Sequence, residues 1–232
     1  MEISPNDLRQ VVVFENATDD DLKLILQNSI TRSIEESSFF FFQGDTAEYL
    51  YILTSGQVKL MQSNPNGQQV NLRTLYAWQM FGALGAVRAE ATYPASAQAL
   101  ENSTALAVSS KFLHSMLETR PYLSFDLMKL MTSYIQEMQS RYRELATERV
   151  EQRVANALIR LAGQSGIKSK KEAGIELSFS RQDVAEMTGS TLYTISRLLS
   201  DWERQGIIKT GREKIQIIKP HDLVRIAEGL EK

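Results

Sequence analysis

The chain has 232 residues, no cysteine, 43% hydrophobic residues and a formal net charge of −2. That length can supply more than one core, and the missing thiols exclude disulfides, thiol switches and thiolate-held iron–sulfur clusters. No secretory leader is visible, and the longest aromatic run, Phe39–Phe42, is far shorter than the ~18 residues of a membrane span, so the chain reads as cytoplasmic. Charge is uneven: residues 1–120 carry 8 basic and 13 acidic side chains, residues 121–232 carry 18 and 15. The sign suits a basic nucleic-acid-binding half beside an acidic sensor half.

In chain order, Thr18 followed by Asp19, Asp20 and Asp21 marks a helix start, because carboxylates favour the positive end of a helix. Leu22, Ile25 and Leu26 give that helix its buried face, and the aspartate run is read as a helix start, not as a metal site. From about Ile30 to Val108 short strands follow: Ser38–Gln43, Tyr49–Ser55, Gln57–Asn64, Gln69–Leu75, Ala95–Ala99 and Thr104–Ser109. Turns at Gly44-Asp45, Ser55-Gly56, Asn64-Pro65-Asn66-Gly67 and Phe81-Gly82 punctuate them. Many short strands at regular spacing predict an antiparallel barrel or sandwich.

A long helix comes next. Met128, Met131, Ile135, Met138, Tyr142 and Leu145 recur at alternating spacings of three and four, which is a heptad seam. Gln136, Glu137, Gln139, Arg141 and Arg143 make the rest of the helix too polar for full burial, so the seam predicts a coiled-coil homodimer. Methionine at half of its positions makes a seam that can repack, as a switching dimer would require. A helix over Glu148–Leu161 follows, with Val150, Val154, Leu158 and Leu161 inward, then a loop over Gly163–Gly174 and an alternating strand through Ile175, Leu177 and Phe179.

Residues Ser180 to Ile208 predict two short helices around a tight turn. Ser180 is an N-cap with Asp183 three residues on, a variant of the capping box. Gly189 supplies the positive φ of the turn, and Thr191 caps the second helix. Ile195, Leu198, Leu199 and Trp202 form that helix's buried side. A helix pair with a short glycine-containing turn is the helix-turn-helix signature, and the N-terminal part of the second helix meets base edges. Arg197 can make two hydrogen bonds to guanine O6 and N7. Ser196 suits a base edge, and Tyr193 offers a hydroxyl and a ring for a phosphate or a thymine methyl. Ser180, Arg181 and Gln182 at the first helix's N-terminus, with Thr191 and Thr194, suit the DNA backbone. Ile207 to Ile218 read as a hairpin, a wing, whose Lys209, Arg212 and Lys214 are placed to touch phosphates.

This order of parts resembles the CRP/FNR family of bacterial transcription regulators over nearly the full chain. The segments FFFFQGDTAEYLYILTSGQVKL, FGALGA, YPASAQAL and the helix-turn-helix carry the resemblance. It implies an α+β chain with an antiparallel β-roll sensor domain over 1–111, a dimerisation helix over 112–147 and a winged helix-turn-helix over 148–232. It also implies a homodimer on a two-fold symmetric operator of double-stranded DNA, recruiting or blocking RNA polymerase. Within the motif, Arg197 matches the family's guanine-reading arginine, and Ser196-Arg197 is similar to the serine–arginine pair of the FNR branch. Tyr193 stands where most members carry a base-contacting glutamate.

The effector region departs further. Phe81-Gly82-Ala83 lacks the glutamate of cyclic-AMP-binding members, and Tyr93-Pro94 replaces their arginine–serine pair. Without that cation a phosphate loses a charge-assisted pair, so cyclic AMP is not expected as the ligand. The resemblance leaves three inputs: a different small molecule, haem, or none. The pocket would be lined by Met80, Phe81, Gly82, Ala83, Arg88, Tyr93, Pro94, Ala95, Met138 and Gln139. For haem the two histidines, His114 and His221, read more simply as structural or solvated. A module with a vestigial DNA-binding domain is the competing class. No nucleophile motif, metal-spaced cluster or phosphate loop supports an enzyme.

Overall fold

The computed structural model describes residues 3–64, 66, 69–88, 90–165 and 174–230. Within it the chain forms two compact units, Met1–Glu137 and Met138–Lys232. The turn residues Pro65 and Gly67, and 166–173 of the predicted loop, lie outside the described residues.

In the first unit, two 3-10 turns, Asp7–Gln10 and Val12–Phe14, precede helix α1, Asp19–Gln27. Thr18 caps α1, its Oγ1 accepting from the Asp21 N–H at 3.2 Å. Eight strands follow: β1 Ser29–Ile34, β2 Phe39–Phe41, β3 Tyr49–Ser55, β4 Val58–Ser63, β5 Gln69–Leu75, β6 Met80–Phe81, β7 Ser96–Ala99 and β8 Ser103–Ser109. The short helix α2, Leu84–Val87, sits between β6 and β7. The strands make two antiparallel four-stranded sheets, ordered β1-β8-β3-β6 and β2-β7-β4-β5.

Period-two alternation feeds two cores from one sheet. Leu50 and Ile52 of β3, with Leu106 and Val108 of β8, pack with Leu22 and Ile25 of α1 and with the N-terminal segment. Their neighbours Tyr51, Leu53, Ala105 and Ala107 face the interior of the roll, where they join Phe41, Val58, Leu75, Phe81, Tyr93 and Ala97. Alanines on β7 and β8 leave the room that the rings fill, which is how large and small side chains reach interior density.

Helix α3, Ser110–Thr119, ends at Arg120, and α4, Pro121–Thr147, begins at the proline. Pro121 has no N–H to give and disfavours helical φ,ψ at Arg120, so the two helices are separate. Asp21, 5% exposed, accepts hydrogen bonds from Thr18, Arg120 and Tyr122 and so ties α1 to this junction. Burial alone would raise the Asp21 pKa; those three hydrogen bonds and the guanidinium charge outweigh it and lower it.

In the second unit, α5, Val150–Ser165, buries Val154, Leu158 and Leu161, while Val150 is only half-buried. A three-stranded sheet, β10-β11-β9, is built from β9 Ile175–Leu177, β10 Ile208–Gly211 and β11 Lys214–Ile217. Helix α6 is Arg181–Thr188 and α7 is Leu192–Arg204. A further helix, α8 Pro220–Ala227, has Pro220 in its first turn and packs on α5. The part of α4 in this unit contributes Glu144, 6% exposed, whose two oxygens accept from Arg160 Nη1 at 2.7 and 2.9 Å.

Candidate nucleic-acid interface and effector region

The helix pair is built as its residues dictate. Ser180 Oγ accepts from the Asp183 N–H at 3.1 Å while Asp183 Oδ2 accepts from the Ser180 N–H at 3.0 Å, a complete capping box. Gly189 closes α6 at φ 59° and its N–H donates to Ala185. Thr191 Oγ1 accepts from the Thr194 N–H at 3.1 Å and pairs with Thr194 Oγ1 at 2.8 Å. Arg153 of α5 braces the turn from behind: its guanidinium donates to the Thr188 carbonyl at 3.1 Å and the Glu148 carbonyl at 3.0 Å, and reaches Ser190 Oγ at 3.4 Å. Ile195, Leu198, Leu199 and Trp202 are buried.

The opposite face of α7 is open. Tyr193 is 75% exposed, Arg197 is exposed and Ser196 is half-buried. Tyr193 and Arg197 lie one turn apart on the same stripe, and among the described residues neither side chain has a hydrogen-bond or ion-pair partner. An exposed guanidinium with no internal partner is free to form two bonds to a purine edge.

The residues expected at the DNA backbone divide. Arg212 is exposed at the tip of the two-residue turn between β10 and β11. Ser180, Thr191 and Thr194 hold helix starts, and Gln182 Nε2 donates to Glu186 Oε1 at 3.0 Å. Arg181 spans three elements: its guanidinium reaches the Ser196 carbonyl at 3.5 Å and Thr210 Oγ1 at 3.2 Å. Glu203 completes that network, accepting from the Thr210 N–H at 2.7 Å and its hydroxyl at 2.9 Å. Those two bonds, the backbone one first, lower the Glu203 pKa.

All six seam positions are exposed, from 38% at Met131 to 76% at Tyr142. Phe125, one turn before Met128, adds to them at 57%.

The residues expected around an effector differ widely in burial. Met80 packs in the core shared with α1, and Phe81 and Tyr93 are 3% exposed inside the roll. The Tyr93 ring stacks on Phe41 with centroids 3.6 Å apart, and Phe81 stacks on Tyr51 at 5.1 Å. Tyr93 Oη donates to the Tyr49 carbonyl at 2.7 Å and accepts from its N–H at 3.1 Å, and burial raises its pKa. Gly82 has φ 77°, and a Cβ there would meet the Tyr49 carbonyl and the Tyr93 ring, each at 3.1 Å, so the glycine serves the packing itself. Ala95 is buried, Ala83 half-buried, and Arg88 and Pro94 are exposed. Met138 and Gln139 belong to the second unit, where both are exposed. His114 is exposed beside Glu118 at 3.3 Å, and His221 is exposed on α8; neither is in the roll's core.

Sequence reasoning missed a cation in this region. Arg73 of β5 lies over the ring of Tyr134 of α4, 3.8 Å from Cζ to the ring centroid, and its Nη1 is 3.4 Å from Glu137 Oε2. Its Nε is buried without a hydrogen-bond partner. Its one sequence signal was a charged residue opposite Leu60 in a strand pair, and nothing local says that a helix sixty residues on will cover it.

Two family models match, a cyclic nucleotide-binding domain over residues 31–120 and a Crp-like helix-turn-helix domain over 152–226. The chain is 26% identical to the "Anaerobic regulatory protein" of Bacillus subtilis, over 88% of this chain and 87% of that protein. It is 25% identical to the "Cyclic AMP receptor protein" of Thermus thermophilus, over 94% and 97% respectively. In fold it is similar to the c-di-GMP responsive regulator CLP of Xanthomonas campestris, with TM-score 0.75 at 18% identity, covering 86% of this chain and 99% of that one. No helix among the described residues is long and apolar enough to cross a membrane.

Proposed function

Because the chain belongs to the CRP/FNR family of bacterial transcription regulators, we propose that it works in the cytoplasm as a homodimer on a two-fold symmetric operator. The two copies join along the α4 seam from Met128 to Leu145, and each α7 reads one half-site, roughly one helical turn from the other. Arg197 reads a guanine, Tyr193 and Ser196 contact neighbouring base edges, and Arg212 holds a phosphate. The bound dimer recruits or blocks RNA polymerase. The observation that supports this best is the unengaged Tyr193–Arg197 stripe on a helix whose other face is fully packed.

The roll receives a signal other than cyclic AMP. Tyr93 brings no charge where the family's arginine would meet a phosphate, and its hydroxyl is committed to Tyr49. Selection from a random DNA library gives the operator, and Arg197→Ala is expected to weaken binding to it by about 1–3 kcal/mol and to relax one base position per half-site. Unchanged affinity and unchanged sequence preference would refute the assignment.

A further inference from the structure

Leu192 opens α7 and is not among the side chains buried on that helix. It follows the cap Thr191 directly and is 48% exposed, whereas Ile195, Leu198, Leu199 and Trp202 of the same helix are all buried. Helical spacing puts Leu192 on a stripe with Ser196, alongside the stripe of Tyr193 and Arg197. A single exposed leucine is ordinary on a protein surface. This one is set apart by its place, the first residue of a helix whose N-terminal residues meet base edges, beside an exposed ring and an exposed guanidinium.

The chemistry of the major groove narrows what such a side chain can meet. Every base presents hydrogen-bonding groups there, O4 in the case of thymine, and an apolar side chain strips such groups of water without replacing the bond. Thymine alone presents a methyl group, at C5. We propose that Leu192, flanked by the Tyr193 ring, reads a thymine C5-methyl group within a base pair or two of the guanine read by Arg197. The operator half-site then has an apolar position beside its polar one, and Leu192 is a specificity-determining residue. This rests on the DNA-binding reading above.

The test removes the methyl group and nothing else. Deoxyuridine pairs as thymidine does but lacks the C5-methyl. The full-length protein is titrated against its selected operator and against duplexes in which each half-site thymine in turn is replaced by deoxyuridine. At one thymine near the guanine, the replacement is expected to weaken binding about fourfold per half-site, the size of burying one methyl group. Leu192→Ala should bind the two duplexes within twofold of each other, with the melting temperature of the parent because the side chain is exposed. Tyr193→Phe should keep the full discrimination. Equal binding of thymine and uracil duplexes by the parent protein at every position would overturn the inference. So would undiminished discrimination by Leu192→Ala, or a selected half-site with no thymine near the guanine. If selection yields no preferred sequence at all, the DNA-binding reading itself fails, which separates the two outcomes.

Discussion

Two tyrosines stand where the resemblance to the family implies a charge, and their surroundings are opposite. Tyr93, in place of an arginine, is 3% exposed, stacked on Phe41 and bonded through its hydroxyl to Tyr49. Tyr193, in place of a glutamate, is 75% exposed, with no hydrogen-bond partner among the described residues. Tyr93 is absorbed into the packing of the first unit. Tyr193 stands clear of the core, on the face proposed above to meet DNA. The same residue type should therefore report on stability in one unit and, on the proposed function, on specificity in the other.

The largest effect expected concerns the proposed dimer seam. Ile135→Asp places a charge in the middle of the proposed seam in each copy and should give monomers with no measurable operator binding; sedimentation that still shows a dimer would refute the seam. Next in size, Tyr93→Ala should destabilise the first unit by about 3–5 kcal/mol, as other aromatic truncations in cores do. Tyr193→Ala should stay within about 0.5 kcal/mol of the parent and alter sequence preference instead. Denaturant titrations of the pair measure the contrast directly, and equal losses would break it.

Gly82→Ala tests whether that glycine serves the packing rather than a ligand. Positive φ and the close Tyr49 carbonyl should cost about 1–3 kcal/mol with no ligand present. The smallest effect is the pH dependence carried by Asp21. Its folded pKa lies below its unfolded value, so its stabilisation is complete above the unfolded value and is lost as pH falls through the folded one. Melting temperatures taken from about pH 6 to about pH 3 should fall less steeply for Asp21→Asn than for the parent.

The helix-turn-helix was legible almost residue by residue, because capping boxes, a left-handed glycine and a three-four stripe are local signals. Its Ser180, Gly189 and Thr191 all sit as the pattern implied. The roll was legible where short apolar strands lie between turn residues, as at β3 and β4. It was not at β1, whose SITRSI pairs only with β8 and exposes most of its side chains, nor at β6, which is two residues long. Helix α8 went unread although Pro220 is the residue type that opens a helix. The effector region was legible as a loss of charge but not as a gain of packing. That Tyr93 would stack on Phe41, fifty-two residues away, and that Arg73 would meet Tyr134 and Glu137, are tertiary facts with no local signature.

Arg181 has a consequence beyond its own bonds. Its guanidinium joins the first helix of the pair to the carbonyl of Ser196 on the recognition helix and to Thr210 on the wing, and Glu203 closes the loop. A reading head strapped in this way is tuned as one piece. Tilting α7 against β10 would break these bonds together, so the signal proposed above would act most cheaply by displacing the whole head. Base preference should accordingly be the same in the presence and absence of that signal, with only the strength of binding responding to it.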